Sequence, residues 1–247
     1  IPMSDYQFDK YSIIRKEEID RDKKKKTTKT VSKEDAFSVN SSYRAYSRML
    51  CQFVFPEDIP RPFKGDSKDL ELDDDILTVL SELKITYERK IRQAKKVEDK
   101  EILKSSLKEE ERKLKSSSKE YEKRLMETLN TLDRRRDEFL QVVERKDMGL
   151  KKYSPKYADI IEKIKKVKGN KFIYTEYKTS EGVVILSISL KAKGYAPLKV
   201  KKDAEGDFIL DINESDKSKP KFALWEGGDE SDIILRVFNN LWDTLSD

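Results

Sequence analysis

Between Ser154 and Asn239 the apolar residues alternate between helical spacing and short continuous runs, the pattern of helices interleaved with buried strands. Ser154-Pro155 opens this stretch as an N-cap followed by proline at the first helical position, where the missing N–H costs nothing. Tyr157, Ile160, Ile161, Ile164 and Val167 then supply one apolar face, and Gly169-Asn170 provides the stop. Lys171 to Tyr177 is short, aromatic and β-branched, which predicts an inner strand. A second helix carries Val183, Leu186, Ile188 and Leu190 and ends at Gly194. Leu198 to Ile212, with the turn signal Asp203-Ala204-Glu205-Gly206-Asp207, predicts an inserted β-hairpin. Phe222 to Trp225 reads as a strand and Ile233 to Trp242 as a helix. Helix, strand, helix, strand, helix predicts an α/β class with a doubly wound parallel sheet.

Upstream the pattern is helical. Ser4 with Gln7 three residues on predicts a capping box, with Phe8, Tyr11 and Ile14 as the buried stripe. That helix is expected to dissolve at Lys23-Lys24-Lys25-Lys26, and Lys23 to Lys33 reads as disordered, either a solvated loop or a phosphate-contacting patch. Within Ser38 to Pro62, Tyr43, Tyr46, Met49, Leu50 and Phe53 fall at helical spacing, and Phe55-Pro56 and Pro60-Arg61-Pro62 force an extended connector. Asp66 to Met148 holds neither glycine nor proline. Ile76, Leu80, Leu83, Tyr87, Ile91 and Ala94, then Leu107, Leu114, Tyr121, Leu125, Leu129, Leu132, Phe139 and Val143, form an interrupted seam. Polar seam positions favour a helical hairpin or small bundle, folded near Ser116-Ser117-Ser118, over one long dimeric coiled coil. Three segments follow: a connector over 1–63, a charged helical insertion over 64–150 and an α/β unit over 151–247.

Composition narrows the chemistry. Charged residues make up 41% of the 247 and hydrophobic ones 36%, so much of the chain must be solvated helix or loop. The net charge of +5 permits nucleic-acid contact without requiring it. From Leu83 to Arg124 lysine and arginine outnumber acids, which reads either as a solvated face with i,i+4 pairs or as a clamp near nucleic acid or another subunit. With no histidine, Ser-His catalysis and zinc–imidazole sites are excluded, and the single cysteine, Cys51, reads as a small buried apolar residue. No run approaches the ~20 apolar residues of a membrane span.

The run Gly169-Asn170-Lys171-Phe172-Ile173-Tyr174-Thr175-Glu176-Tyr177 resembles motif IV of superfamily 2 helicases, which opens their second RecA-like lobe. Lys193-Gly194-Tyr195, Phe222 to Gly227, and Arg236 with Phe238-Asn239 resemble later pieces of that lobe in order. Ile1 to Phe8, Tyr43 to Met49 and Phe53 to Pro56 resemble the helicases of large nucleocytoplasmic DNA viruses. These are Swi/Snf-like relatives of the poxvirus early transcription factor small subunit and nucleoside triphosphatase I. The resemblance implies a partial RecA-like second lobe with a long inserted helical hairpin or bundle, and a role for Ser38 to Pro62 as a bridge between lobes. It further implies a DNA-directed translocase of viral transcription, found in the virion and in factories in the host cytoplasm. Nucleic acid, DNA before RNA, would be its substrate, the helical arm would meet transcription-machinery subunits, and no membrane is expected.

The sequence has no G-x-x-x-x-G-K-[ST] loop and no Asp-Glu-x-His or Asp-Glu-x-Asp box. ATP and magnesium are therefore expected outside this segment, with an arginine finger beyond Asp247, and the segment alone is expected to be inactive. The missing initiator methionine and the open-ended lobe predict an internal fragment. By resemblance Tyr174, Thr175 and the amide of Glu176 would contact phosphates, with Gly227 and Gly228 allowing close approach. The alternatives are that Tyr174 is sheet core and the glycine pair a turn before the Asp229 cap, while Trp225 reads as core. Arg44 and Arg48, four apart, grip either phosphates or the acids of a neighbouring domain. The competing class is a non-enzymatic scaffold that uses the helical arm for protein contacts.

Overall fold

The computed structural model describes residues 1–28, 45–62, 76–94, 96–177, 180–225 and 229–241. Helices come first: α1 (Asp5–Thr28), α2 (Ala45–Leu50), α3 (Ile76–Gln93), α4 (Val97–Arg134), α5 (Arg136–Phe139), α6 (Gly149–Tyr153) and α7 (Pro155–Lys166). After a kinked turn over Ser180–Val184 come α8 (Ile185–Ala192), β1 (Ala196–Pro197), β2 (Val200–Lys202), β3 (Phe208–Leu210), β4 (Lys221–Phe222) and α9 (Asp229–Phe238). The class is helical with two small two-stranded sheets. Among the described residues no helix is long and apolar enough to cross a membrane. The chain forms two units that interleave along the sequence.

The first unit comprises Ile1–Ile13, Met49–Glu57 and Thr131–Asp247. An aromatic cluster ties its three segments together: Tyr6 and Phe139 each meet Tyr153 edge-on, at 5.4 and 5.9 Å, and Phe53 meets Phe55 at 5.2 Å. Backbone polar groups between these rings are paired, because Tyr6 donates to the Phe55 carbonyl at 3.0 Å and Val54 N–H donates to the Tyr153 carbonyl at 3.0 Å. The Ser4 hydroxyl accepts from Gln7 N–H at 3.1 Å, half of the predicted capping box. The other half is missing because the buried Gln7 side chain donates to the Leu50 carbonyl at 2.7 Å instead. Phe8, predicted to be buried, is 57% exposed.

Ser154 caps α7 as predicted, its hydroxyl accepting from Tyr157 N–H, and it also donates to the Gln52 carbonyl at 2.5 Å. The helix buries Tyr157, Ala158 and Ile161. In α8 every residue but Lys191 is buried, so this is a core helix enclosed almost all round. Its serines satisfy their hydroxyls on the preceding turn, Ser187 on Val183 O at 2.7 Å and Ser189 on Ile185 O at 2.8 Å. Gly194 ends the stretch with φ of +89°, where a side chain would be strained.

The inserted hairpin forms as predicted, β2 pairing antiparallel with β3 in the register Lys201 to Ile209. Asp203 builds its turn by accepting from the Glu205 and Asp207 N–H groups, both at 2.9 Å. β1 pairs parallel with β4, Ala196 opposite Lys221. The remaining strand expectations are corrected. Lys171 to Tyr177 belongs to neither sheet, and Phe172 and Tyr174 are 72% and 78% exposed. A strand exists only through a ladder partner, and no described strand lies alongside this run to supply one. The strand expected over Phe222 to Trp225 is only Lys221–Phe222, and Trp225, expected in the core, is 57% exposed. The last helix starts and stops earlier than predicted, at Asp229 and Phe238.

The second unit comprises Ile14–Arg48 and Asp58–Asn130. Its α3 and α4 form the predicted hairpin, joined by Tyr87 Oη donating to Glu110 Oε1 at 2.8 Å and by Lys84 to Glu111 at 3.8 Å. The fold-back lies between Gln93 and Val97, not at Ser116-Ser117-Ser118, which sit inside α4. Serine in a long helix costs only tenths of a kcal/mol, about 0.5, and Ser118 donates its hydroxyl to Glu122 at 3.4 Å. The true turn carries charge signals: Lys90 and Arg92 in the last turn of α3, Glu98 and Asp99 in the first of α4. The lysine run does not dissolve α1, which continues to Thr28, since lysine is a good helix former. The rest of Lys23 to Lys33, like Tyr43, lies outside the described residues. Cys51, expected to be buried, is half-buried.

Candidate nucleic-acid interface

The stretch that the sequence nominates for phosphate contact is held in place by a buried tyrosine. Tyr157 projects from α7 and donates to the carbonyls of Glu181 at 2.6 Å and Gly182 at 3.3 Å. Burial, reinforced by Glu181 and Tyr177, pushes the Tyr157 phenol well above its usual range. It therefore stays a neutral donor. Gly182 in turn sits against Tyr177, whose carbonyl oxygen would lie 1.8 Å from any added Cβ, and Val183 N–H donates to that carbonyl at 3.0 Å. Only glycine permits so close an approach. This chain of contacts fixes the far end of the Lys171 to Tyr177 segment.

At that end the Thr175 hydroxyl oxygen accepts from Tyr177 N–H at 3.2 Å, a tight local turn. The half-buried Thr175 hydroxyl keeps its proton available to donate, and the neighbouring Tyr174 and Glu176 are exposed. Phe172 meets Trp225 edge-on at 6.5 Å, which sets the segment beside the end of β4. Asn170 secures the near end by donating to the Phe238 carbonyl at 2.6 Å. Below it lies an open depression of about 200 Å³ lined by Ile160, Lys163, Ile164, Val167, Lys171 and Ile173. Apolar floor, lysine rim and exposed aromatic rings make a surface suited to stacking bases and binding phosphates.

Of the nominated residues, the structure brings Tyr174, Thr175 and Glu176 together on this turn. Arg48 is exposed and belongs to the second unit. Arg44, Gly227 and Gly228 lie outside the described residues. Sequence reasoning treated Tyr157 as a packing position only and did not single out Gly182. The signal for the first was a hydroxylated residue on an otherwise aliphatic face, and for the second a lone glycine next to a helix start. Among the described residues no group of acids and cysteine is spaced to hold a metal ion. The sequence also lacks a G-x-x-x-x-G-K-[ST] phosphate-binding loop.

No protein-family model, curated protein or solved structure matches this chain.

Proposed function

We propose that this chain supplies the inter-lobe bridge, a helical arm and the start of the second RecA-like lobe of a viral superfamily 2 helicase-like translocase acting in DNA-templated transcription. The observation that carries the reading is the turn at Tyr174 to Glu176, anchored by Tyr157 and Gly182, which sets the exposed Tyr174 side chain beside the half-buried Thr175 hydroxyl. Hydroxyls and backbone amides are what grip a nucleic-acid backbone without reading its sequence. β1 pairs parallel with β4, and the connection between them carries the β2–β3 hairpin and no α-helix, so the RecA-like part of the reading rests on the resemblance alone. ATP and magnesium would bind elsewhere in the working enzyme.

The test is DNA-stimulated ATP hydrolysis by the polypeptide as its source makes it, with and without Thr175→Val. One lost phosphate hydrogen bond is worth about 1 kcal/mol, so the variant should need roughly fivefold more DNA for half-maximal stimulation. No hydrolysis at any DNA concentration would remove the helicase reading. The scaffold reading has one observation in its favour, the exposed apolar side chains of Val97, Ile102 and Met126 along α4. It predicts capture of a protein partner that Met126→Lys abolishes, with Thr175→Val silent.

A further inference from the structure

The hairpin of α3 and α4 sorts its charges. Three successive acids of α4 turn to partners within the hairpin: Glu110 accepts from Tyr87 at 2.8 Å, Glu111 pairs with Lys84 at 3.8 Å, and Glu109 pairs with Lys113 at 2.7 Å. The cations on the adjoining face have no such partners. Lys104, Lys108, Arg112, Lys115, Lys119 and Lys123 are all exposed, and none is in an ion pair among the described residues. They follow one another at intervals of four, four, three, four and four residues. At 3.6 residues per turn these positions share one strip of the helix, roughly 100° wide. Between Lys104 and Lys123 the same strip holds two other residues, Ser105 and one acid, Glu122, whose carboxylate accepts from Ser118 at 3.4 Å.

Six cations without an ion pair on one strip repel one another, and the single acid among them, Glu122, offsets only part of this, so a polyanion lying along the strip would stabilise it. Its length is about 29 Å at the helical rise of ~1.5 Å per residue. A duplex presents phosphates every ~3.4 Å along each strand, so the strip spans about eight base pairs. We infer that the outer strip of α4 from Lys104 to Lys123 is a second nucleic-acid contact, lying along the phosphate ridge of a double helix without reading bases. The choice of a nucleic-acid partner rests on the function proposed above. A stiff, even row of cations matches a stiff duplex better than a flexible single strand.

The experiment is fluorescence anisotropy of the whole chain with a labelled 20-base-pair duplex, over a series of salt concentrations. A combined Lys104→Gln, Lys108→Gln, Lys115→Gln, Lys119→Gln variant keeps helix-forming residues at every site. Each cation–phosphate contact contributes about 0.9 to the slope of log affinity against log salt. The expected result is a slope shallower by about three to four, with helicity by circular dichroism unchanged. Lys113→Gln, which removes a cation already paired with Glu109, should leave the slope within about one of wild type. Three results would overturn the inference: an unchanged slope in the combined variant, no duplex binding by wild type, or binding to poly-glutamate with none to duplex. Thr175→Val on the same duplex separates the two claims. If it alone weakens binding, the strip fails and the function stands; if only the strip variant does, the strip stands and the Thr175 grip fails.

Discussion

Helices α8 and α4 sit at opposite ends of what a helix in this chain can be. The first is eight residues long, and even its serines are buried, their hydroxyls satisfied one turn back. The second is 38 residues long, with a narrow apolar seam, exposed Ile102 and Met126, and charges over most of its surface. An eight-residue helix is far too short to persist alone in water, so α8 exists because the first unit packs around it. α4 draws more on local propensity and on i,i+4 pairs such as Glu109 with Lys113. Packing therefore controls the first unit, and surface electrostatics controls what the hairpin can meet.

Substitutions in the two helices should accordingly differ by an order of magnitude. Ile185→Ala, in a side chain with no exposure, leaves a cavity and should cost about 3 kcal/mol, read as a lower urea midpoint. Gly182→Ala drives a Cβ into the Tyr177 carbonyl and should cost about 2 kcal/mol, with chemical-shift changes centred on Thr175 and Tyr177. Wild-type stability for Gly182→Ala would mean that the 171–177 segment is not held from Tyr177.

Tyr157→Phe removes the hydroxyl but keeps the ring, so the loss should be about 1 kcal/mol. It also carries a pH signature. The unfolded chain releases the phenol proton near pH ~10, whereas burial holds it on the folded chain to higher pH. The contribution is complete below that pH and declines above it, because the folded state then binds more protons than the unfolded one. Wild type should lose stability on raising the pH past about 10, and Tyr157→Phe should lose measurably less over the same interval. Lys113→Gln on exposed α4 should leave the urea midpoint almost unchanged, because solvent screens an exposed pair. A larger shift would mean that the hairpin depends on that pair, and would narrow the contrast between the two helices.

Local rules carried a good part of this structure. The Ser154 cap with Pro155, the Gly194 stop and the Asp203 to Asp207 turn are each decided by the backbone of a few residues, and all three formed. The hairpin was legible as a helical pair from the seam. Its turn was misplaced because Ser116-Ser117-Ser118 looks like a break, while the dipole-matched charges around Lys96 mark the fold-back more faintly. Trp225 read as core and Phe172 as part of an inner strand because aromatic content was the available cue, and exposure depends on which neighbours arrive. Of the candidate site, the positions Tyr174 to Glu176 were nominated by resemblance, but as the end of a strand. The turn they form and its support by Tyr157 were not legible, since the two lie far apart in sequence.

The amino-acid sequence by itself determined the caps, stops, turns and apolar faces, because each follows from backbone conformation and spacing within one or two turns. Only the tertiary structure decided that Lys171 to Tyr177 stays outside any ladder, that Gln7 leaves its own cap for the Leu50 carbonyl, and that Glu109, Glu110 and Glu111 find partners within the hairpin while a row of cations forms no ion pair among the described residues. These outcomes depend on partners distant along the chain, and a hydrogen bond or ion pair forms where a partner is met in space.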